Sequence, residues 1–268
     1  MAFYGCYFSF DGIPCTEYGL MMYEFGSGSA ETNTTLATNI EIVEDRIARR
    51  YTPLHYGTIS NEPLEFTMTF GADISDLDRN SYIDRWDMDA IANWLTAHNT
   101  YKWLEIMQPD MEMFRYKCFI TDLKHTDVGN LPWGFTCKVI CDSPFAYRYP
   151  EVYKYIINGN AEIDLMNHSA YRGYYKPPIS IYLSRGGTFS ITNVTDNNRT
   201  MQLTGLPASA TTLQIDNENE VITCDTITNP YQYFNFNFFR LCRGNNHLIM
   251  TGTGNIEITC EFPINIGG

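Results

Sequence analysis

The sequence predicts a mainly β protein, a β-sandwich-like sheet domain with one α-helix followed by a C-terminal antiparallel β-sandwich. Two stretches carry that expectation. Between Leu64 and Tyr147 a strand alternates cleanly, with Leu64, Phe66, Met68 and Phe70 set against Glu65, Thr67 and Thr69. It leads through an acidic stretch to a short helix with Trp94 and Leu95, and then to aromatic-rich strands. Period-2 patterning with one polar face marks half-buried sheet. From Ile179 onward, roughly eight short strands recur at about ten-residue spacing with turns between them, the pattern of an antiparallel sandwich.

The elements follow in order. Residues 1–25 are apolar and aromatic, punctuated by Gly5, Gly12 and Gly19, and predict a first strand pair. Residues 26–33 are a Gly/Ser-rich linker by composition. Residues 36–59 hold a charged band of Glu41, Glu44, Asp45, Arg46, Arg49 and Arg50. After the 64–70 strand and the acidic stretch 73–89, a helix is expected over 87–98, with Asp87 as N-cap and Met88, Ile91, Ala92 and Leu95 as its apolar stripe. Strands are expected at 103–107, 116–123 and 133–141. The domain reading is 1–150 and 179–268, joined by an interdomain segment, 151–178, in which tyrosines alternate with charges. The second domain is read as strands at 179–183, 188–192, 200–204, 211–216, 221–224, 233–239, 247–251 and 255–262.

A chain of 268 residues with 44% hydrophobic and 15% aromatic content has ample material for packed cores. The formal charge of −13 argues against a nucleic-acid-binding surface, which needs clustered Lys and Arg. No apolar run approaches the ~20 residues that span a bilayer, so no membrane insertion is expected. Met1-Ala2-Phe3-Tyr4-Gly5 lacks the basic and apolar regions of a secretory signal. A soluble chain made in a cytoplasm is expected, with its eight cysteines reduced. Cys137 and Cys141 fall on one face of a strand, ~13 Å apart, too far to share a zinc ion. No Cys-x-x-Cys occurs, so the thiols read as buried small hydrophobes.

The search for chemistry is nearly empty. There is no Gly-x-Ser-x-Gly, His-Glu-x-x-His, P-loop or dinucleotide fingerprint. His55 has no evident partner. Asp76, Asp78, Asn80, Asp84 and Asp87 match the ligand spacing of a calcium loop, with Ile83 at the apolar position. Ser81 stands where that loop needs glycine, and Asp87 is short for bidentate reach. The competing reading is an acidic loop at a helix N-terminus, where the dipole favours carboxylates. Tyr147, Tyr149, Tyr153, Tyr155, Tyr171, Tyr174 and Tyr175, interleaved with Lys and Arg, suit an interface, sugar rings or single-stranded bases. No catalytic residue, cofactor or metal is expected.

An ordered series of short motifs runs through both halves. The first half holds Asn61-Glu62-Pro63-Leu64-Glu65-Phe66 through Gly71, Trp94-Leu95, Tyr101-Lys102-Trp103-Leu104 and Pro109-Asp110. It continues with Arg115-Tyr116-Lys117, Gly134-Phe135 and Asp142-Ser143-Pro144-Phe145-Ala146-Tyr147. The second half holds Pro178-Ile179-Ser180-Ile181, Phe189-Ser190-Ile191-Thr192-Asn193, and Leu241 with Gly244 and Asn246. In that order the chain resembles the distal tail proteins of long-tailed bacteriophages, the siphophage tail-hub family.

The resemblance implies a structural virion protein of the tail tip, assembled in the host cytoplasm. It implies a homohexameric ring of N-terminal domains around a channel for DNA, with a galectin-like C-terminal sandwich outside. It also implies docking to the tail tube protein and to the tail-tip or tail-associated lysin protein, with receptor-binding proteins at the periphery in some members. The C-terminal part is only about one sandwich long, so the arm or inserted carbohydrate-binding module of larger relatives is not carried over. The competing functions are a carbohydrate-binding module for host glycans and a cell-wall hydrolase, which needs two positioned carboxylates.

Carboxylates on a channel wall repel phosphate. Six copies carry a formal −78, six times −13, so subunit contacts must pair opposite charges locally. Glu41, Glu44, Asp45, Arg46, Arg49 and Arg50 are the candidate contact. The competing reading of that band is a solvated hairpin face.

Overall fold

The computed structural model describes residues 7–22, 41–59, 62–73, 83–107, 113–128, 131–209 and 212–265. The Gly/Ser linker at 26–33 and Asp76, Asp78 and Asn80 lie outside the described residues. The chain divides after Tyr147, and the second unit runs from Arg148 to Ile264.

In the first unit, β1 (Tyr7–Phe10) turns through Asp11 and Gly12 into β2 (Ile13–Pro14), the expected first strand pair. Then come β3 (Leu20–Met22), β4 (Glu41–Asp45), β5 (Leu54–Ile59) and β6 (Glu65–Ala72). The helix α1 (Arg85–Thr96) precedes β7 (Lys102–Met107), β8 (Phe114–Val128) and β9 (Leu131–Cys141). The main sheet runs β2-β1-β7-β8-β9-β6-β3. Phe66, Met68 and Phe70 of β6 are buried, as their alternation predicts.

β1 and β6 are four strand positions apart, which in a flat sheet means ~19 Å. Yet Phe8 and Phe70 have ring centroids 5.2 Å apart. The sheet therefore curls over on itself, giving the sandwich-like arrangement. Helix α1 seats on it through Ile91, Trp94 and Leu95. The Trp94 ring stacks on Phe8 at 5.8 Å and on Tyr18 at 4.6 Å, and its Nε1 donates to the Phe10 carbonyl at 3.1 Å. The helix starts earlier than expected. Asp84, not Asp87, is the N-cap and accepts from the Trp86 and Asp87 amides. Asp87 returns a bond to the Asp84 amide from the third helical position, a capping box. Both carboxylates have N-cap chemistry, and the reciprocal pair selects the earlier one.

The second unit follows β10 (Ala146–Arg148). It holds β11 (Glu151–Asn167), β12 (Ile179–Leu183), β13 (Gly187–Asn193), β14 (Arg199–Leu206), β15 (Thr212–Asp216), β16 (Val221–Cys224), β17 (Gly244–Cys260) and β18 (Pro263–Ile264). The segment 151–178 is thus inside the second unit rather than between the two. Its first 17 residues form β11, which pairs along its whole length with β17.

On its other edge β17 pairs first with β13, at Leu248–Thr251, and then with β12, at Gly254–Ile258. One long strand therefore serves both layers of the sandwich, where the sequence suggested two strands. The changeover falls at Gly252 and Gly254. A Cβ at Gly252 would lie 2.8 Å from the Phe189 ring, and one at Gly254 would strike the Tyr182 carbonyl. Only glycine lets the neighbouring strands close over the bend. Ile181, Phe189, Ile191, Leu213, Met250, Ile256 and Phe262 fill the core between the layers.

Residues 233–239, expected as a strand, are not one. The backbone leaves the 3-10 turn Pro230–Tyr233 and passes through Phe236 at φ 60. Phe234 and Phe238 are buried while Phe236 is 65% exposed. The Asn235 side chain supplies the bonding a ladder would give, accepting from the Gln202 and Asn237 amides and donating to the Thr200 carbonyl.

Candidate functional site

Among the described residues, the charged band 41–50 belongs to a two-stranded antiparallel sheet, β4 with β5, separate from the hydrogen-bonding of the main sheet. Glu41, Glu44 and Asp45 lie on β4. Arg46, Arg49 and Arg50 lie on the connection to β5, where Arg50 N donates to the Ile47 carbonyl and Arg49 takes φ 71. Acids therefore occupy the strand and cations the turn. Arg46 Nε is 3.5 Å from Glu44 Oε1, a contact with an 85% exposed arginine and worth little in solvent.

The apolar residues between these charges are the larger signal. Ile42 is 60% exposed, Ile47 51%, Tyr56 63%, and Tyr51 fully so. An isolated two-stranded hairpin is marginal in water without a covered face. Four large apolar side chains interleaved with opposite charges thus stand exposed on this hairpin and its turn. The sequence showed the charges, but the exposure of Ile42, Ile47, Tyr51 and Tyr56 became visible only with the pairing.

The other candidate residues are held by their own surroundings. Tyr153, Tyr155 and Tyr175 pack against the second unit's core instead of standing free as a stacking platform. The Tyr175 hydroxyl accepts from the Glu261 amide at 2.7 Å. Tyr174 lies under the Arg240 guanidinium at 3.5 Å. The Tyr147 hydroxyl donates to Asp142 at 3.0 Å, within a site where burial raises the Asp142 carboxyl above its ordinary range. Asp84 and Asp87, the described members of the calcium-like spacing, are engaged in the helix cap.

Among the described residues no three His, Cys, Asp or Glu are grouped to hold a metal. The histidines stand apart. His98 meets the Trp94 carbonyl at 2.6 Å, and His247 sits between Asp164 and Glu162 at the surface. An open cleft of about 360 Å³ lies over the β8 bulge, where Thr121 pairs Lys138 and Lys124 pairs Thr136. Two carboxylates line it, Glu65 and Asp122, and Glu65 is tied to Lys138 at 2.6 Å. Cys137 and Cys141 are free and buried, and burial pushes each thiol up to about 12, the behaviour of unreactive thiols.

Comparison with known proteins adds three findings. A family model described as a phage tail protein N-terminal domain matches residues 3–143, and one described as a phage tail C-terminal domain matches residues 145–260. The crystal structure of the SPP1 Dit (gp 19.1) protein, presented as a paradigm of the hub adsorption apparatus in phages infecting Gram-positive hosts, superposes with a TM-score of 0.65. It is 13% identical, and the match covers 96% of this chain and 98% of that one. No curated protein matches the sequence.

Proposed function

The chain belongs to the phage tail protein family, carrying its N- and C-terminal domains in order, and from that premise we propose that it is the structural hub of the tail tip. Six copies close a ring around a channel for DNA. The tail tube protein docks on one side and the tail-tip or tail-associated lysin protein on the other, with receptor-binding proteins as peripheral partners. The chain assembles in the host cytoplasm and works without catalysis, cofactor or metal. The fold shared with a hub protein supports this reading.

The observation that carries it is the exposed β4–β5 hairpin. A heterologous contact repeated around a ring needs two different surfaces on each copy, one fitting the other. The hairpin is charged unevenly, with Glu41, Glu44 and Asp45 on its strand and Arg46, Arg49 and Arg50 at its turn. Laid on a neighbour, the turn meets an otherwise acidic chain of net −13. Local attraction there offsets the repulsion among copies, while Ile42, Ile47, Tyr51 and Tyr56 lose their contact with water.

Arg46→Glu with Arg49→Glu reverses that attraction. Both side chains are exposed, so the fold is expected to remain intact. Light scattering of the double variant is expected to give the single-chain mass where the parent gives the ring. A ring of unchanged mass rejects the hairpin as the contact.

A further inference from the structure

Cys118 on β8 and Cys141 on β9 stand directly opposite each other in the antiparallel ladder, and both are free thiols. One hydrogen bond identifies the type of rung they occupy. The Asp142 amide donates to the Lys117 carbonyl at 2.9 Å. Those groups belong to the residue after Cys141 and the residue before Cys118. The cysteines therefore form a non-hydrogen-bonded pair, the type in which Cα atoms lie about 4.5 Å apart and side chains come closest.

Disulfides span Cα separations of about 4.4–6.8 Å, a range that takes in rungs of this type. Both side chains point into the core, at 0% and 1% exposure. The pair is the last rung of the β8–β9 ladder, and beyond it β8 continues alongside β7.

We propose that Cys118 and Cys141 are a covalent crosslinking site, closed by a low-molecular-weight disulfide such as oxidised glutathione once the chain leaves a reducing cytoplasm. The change of compartment rests on the tail-protein reading, whereas the geometry of the rung does not. One cysteine thiolate attacks the glutathione disulfide, forming a mixed disulfide and releasing one glutathione thiolate. The second cysteine attacks the protein sulfur of that mixed disulfide and releases the other glutathione. The two cysteine protons end on the two glutathione thiols, so two protein thiols are oxidised and one external disulfide is reduced. Because burial raises both thiol pKa values, the folded ladder holds little thiolate, and exchange is slow, proceeding through transient local opening of the rung.

The test uses the full-length chain, refolded in oxidised glutathione and in reductant, with remaining thiols alkylated before peptide mass spectrometry. The expected result is a peptide pair joined through Cys118 and Cys141. The unfolding temperature of the first unit should be higher than in reductant and fall back when reductant is added. Cys118→Ala is expected to remove both the joined pair and the reductant-dependent shift. Alkylation of both cysteines in the oxidised, folded protein overturns the proposal, as does a bridge to Cys137 instead. The oligomer mass of the reduced protein reports separately on the hub reading.

Discussion

Arg240→Ala is expected to destabilise the second unit by about 3–5 kcal/mol, the cost of leaving a buried charge unpaired. Asp196 has only 2% of its side chain exposed, and its two oxygens take a fork of bonds from Arg240 at 2.6 and 3.1 Å. Those bonds in turn raise the arginine pKa above its ordinary value. The two partners are not equivalent, because the Arg240 side chain is 27% exposed and can fall back on water. Asp196→Asn, which leaves the arginine facing solvent, should therefore cost less than Arg240→Ala.

Urea unfolding of the two variants measures this. A larger loss for Asp196→Asn than for Arg240→Ala would contradict the assignment.

Trp94→Ala carries the second large effect, about 3–5 kcal/mol from the first unit. It removes the ring stacked between Phe8 and Tyr18 and the donor to the Phe10 carbonyl. The helix then loses its deepest contact with the curled sheet. Trp94→Phe restores most of the packing but not the donor, and should cost about 1–3 kcal/mol, the range for a buried group left unsatisfied. Urea unfolding followed by amide signals from each unit should show both losses in the first unit and an unchanged second unit. A loss below about 1 kcal/mol for Trp94→Ala would mean that α1 is not the sheet's cover.

The legible parts of the fold are those whose side chains alternate against a single neighbouring layer. Phe66, Met68 and Phe70 on β6, and Ile179 and Ile181 on β12, announce themselves because one face is dry and the other wet. β11 obeys the same period, with Tyr153, Tyr155 and Ile157 inward. Its tyrosines and flanking Pro150 nevertheless read as a connector, because tyrosine is amphipathic and serves both purposes. Residues 233–239 failed in the opposite sense. Their Phe/Asn alternation imitates a strand, but the Asn235 side chain satisfies the backbone without a ladder.

Long-range polar pairing leaves no local trace. Asn193 and Asn246, 53 residues apart, bond side chain to side chain in the core at 2.9 Å, and no periodicity announces that. The candidate interface was half legible. Its charges are written in sequence, while the exposure of Ile42 and Tyr56 depends on β4 and β5 pairing, among the described residues, only with each other. The facing of Cys118 and Cys141 depends on register, which a bulge at Thr121 and Lys124 shifts a few rungs away.

Native mass spectrometry of the full chain tests the central claim most directly. The hub reading predicts a dominant species of six copies, six times 30.8 kDa or 184.8 kDa, dispersed by the Arg46→Glu and Arg49→Glu double variant. A single 30.8 kDa species at every concentration tried would contradict it.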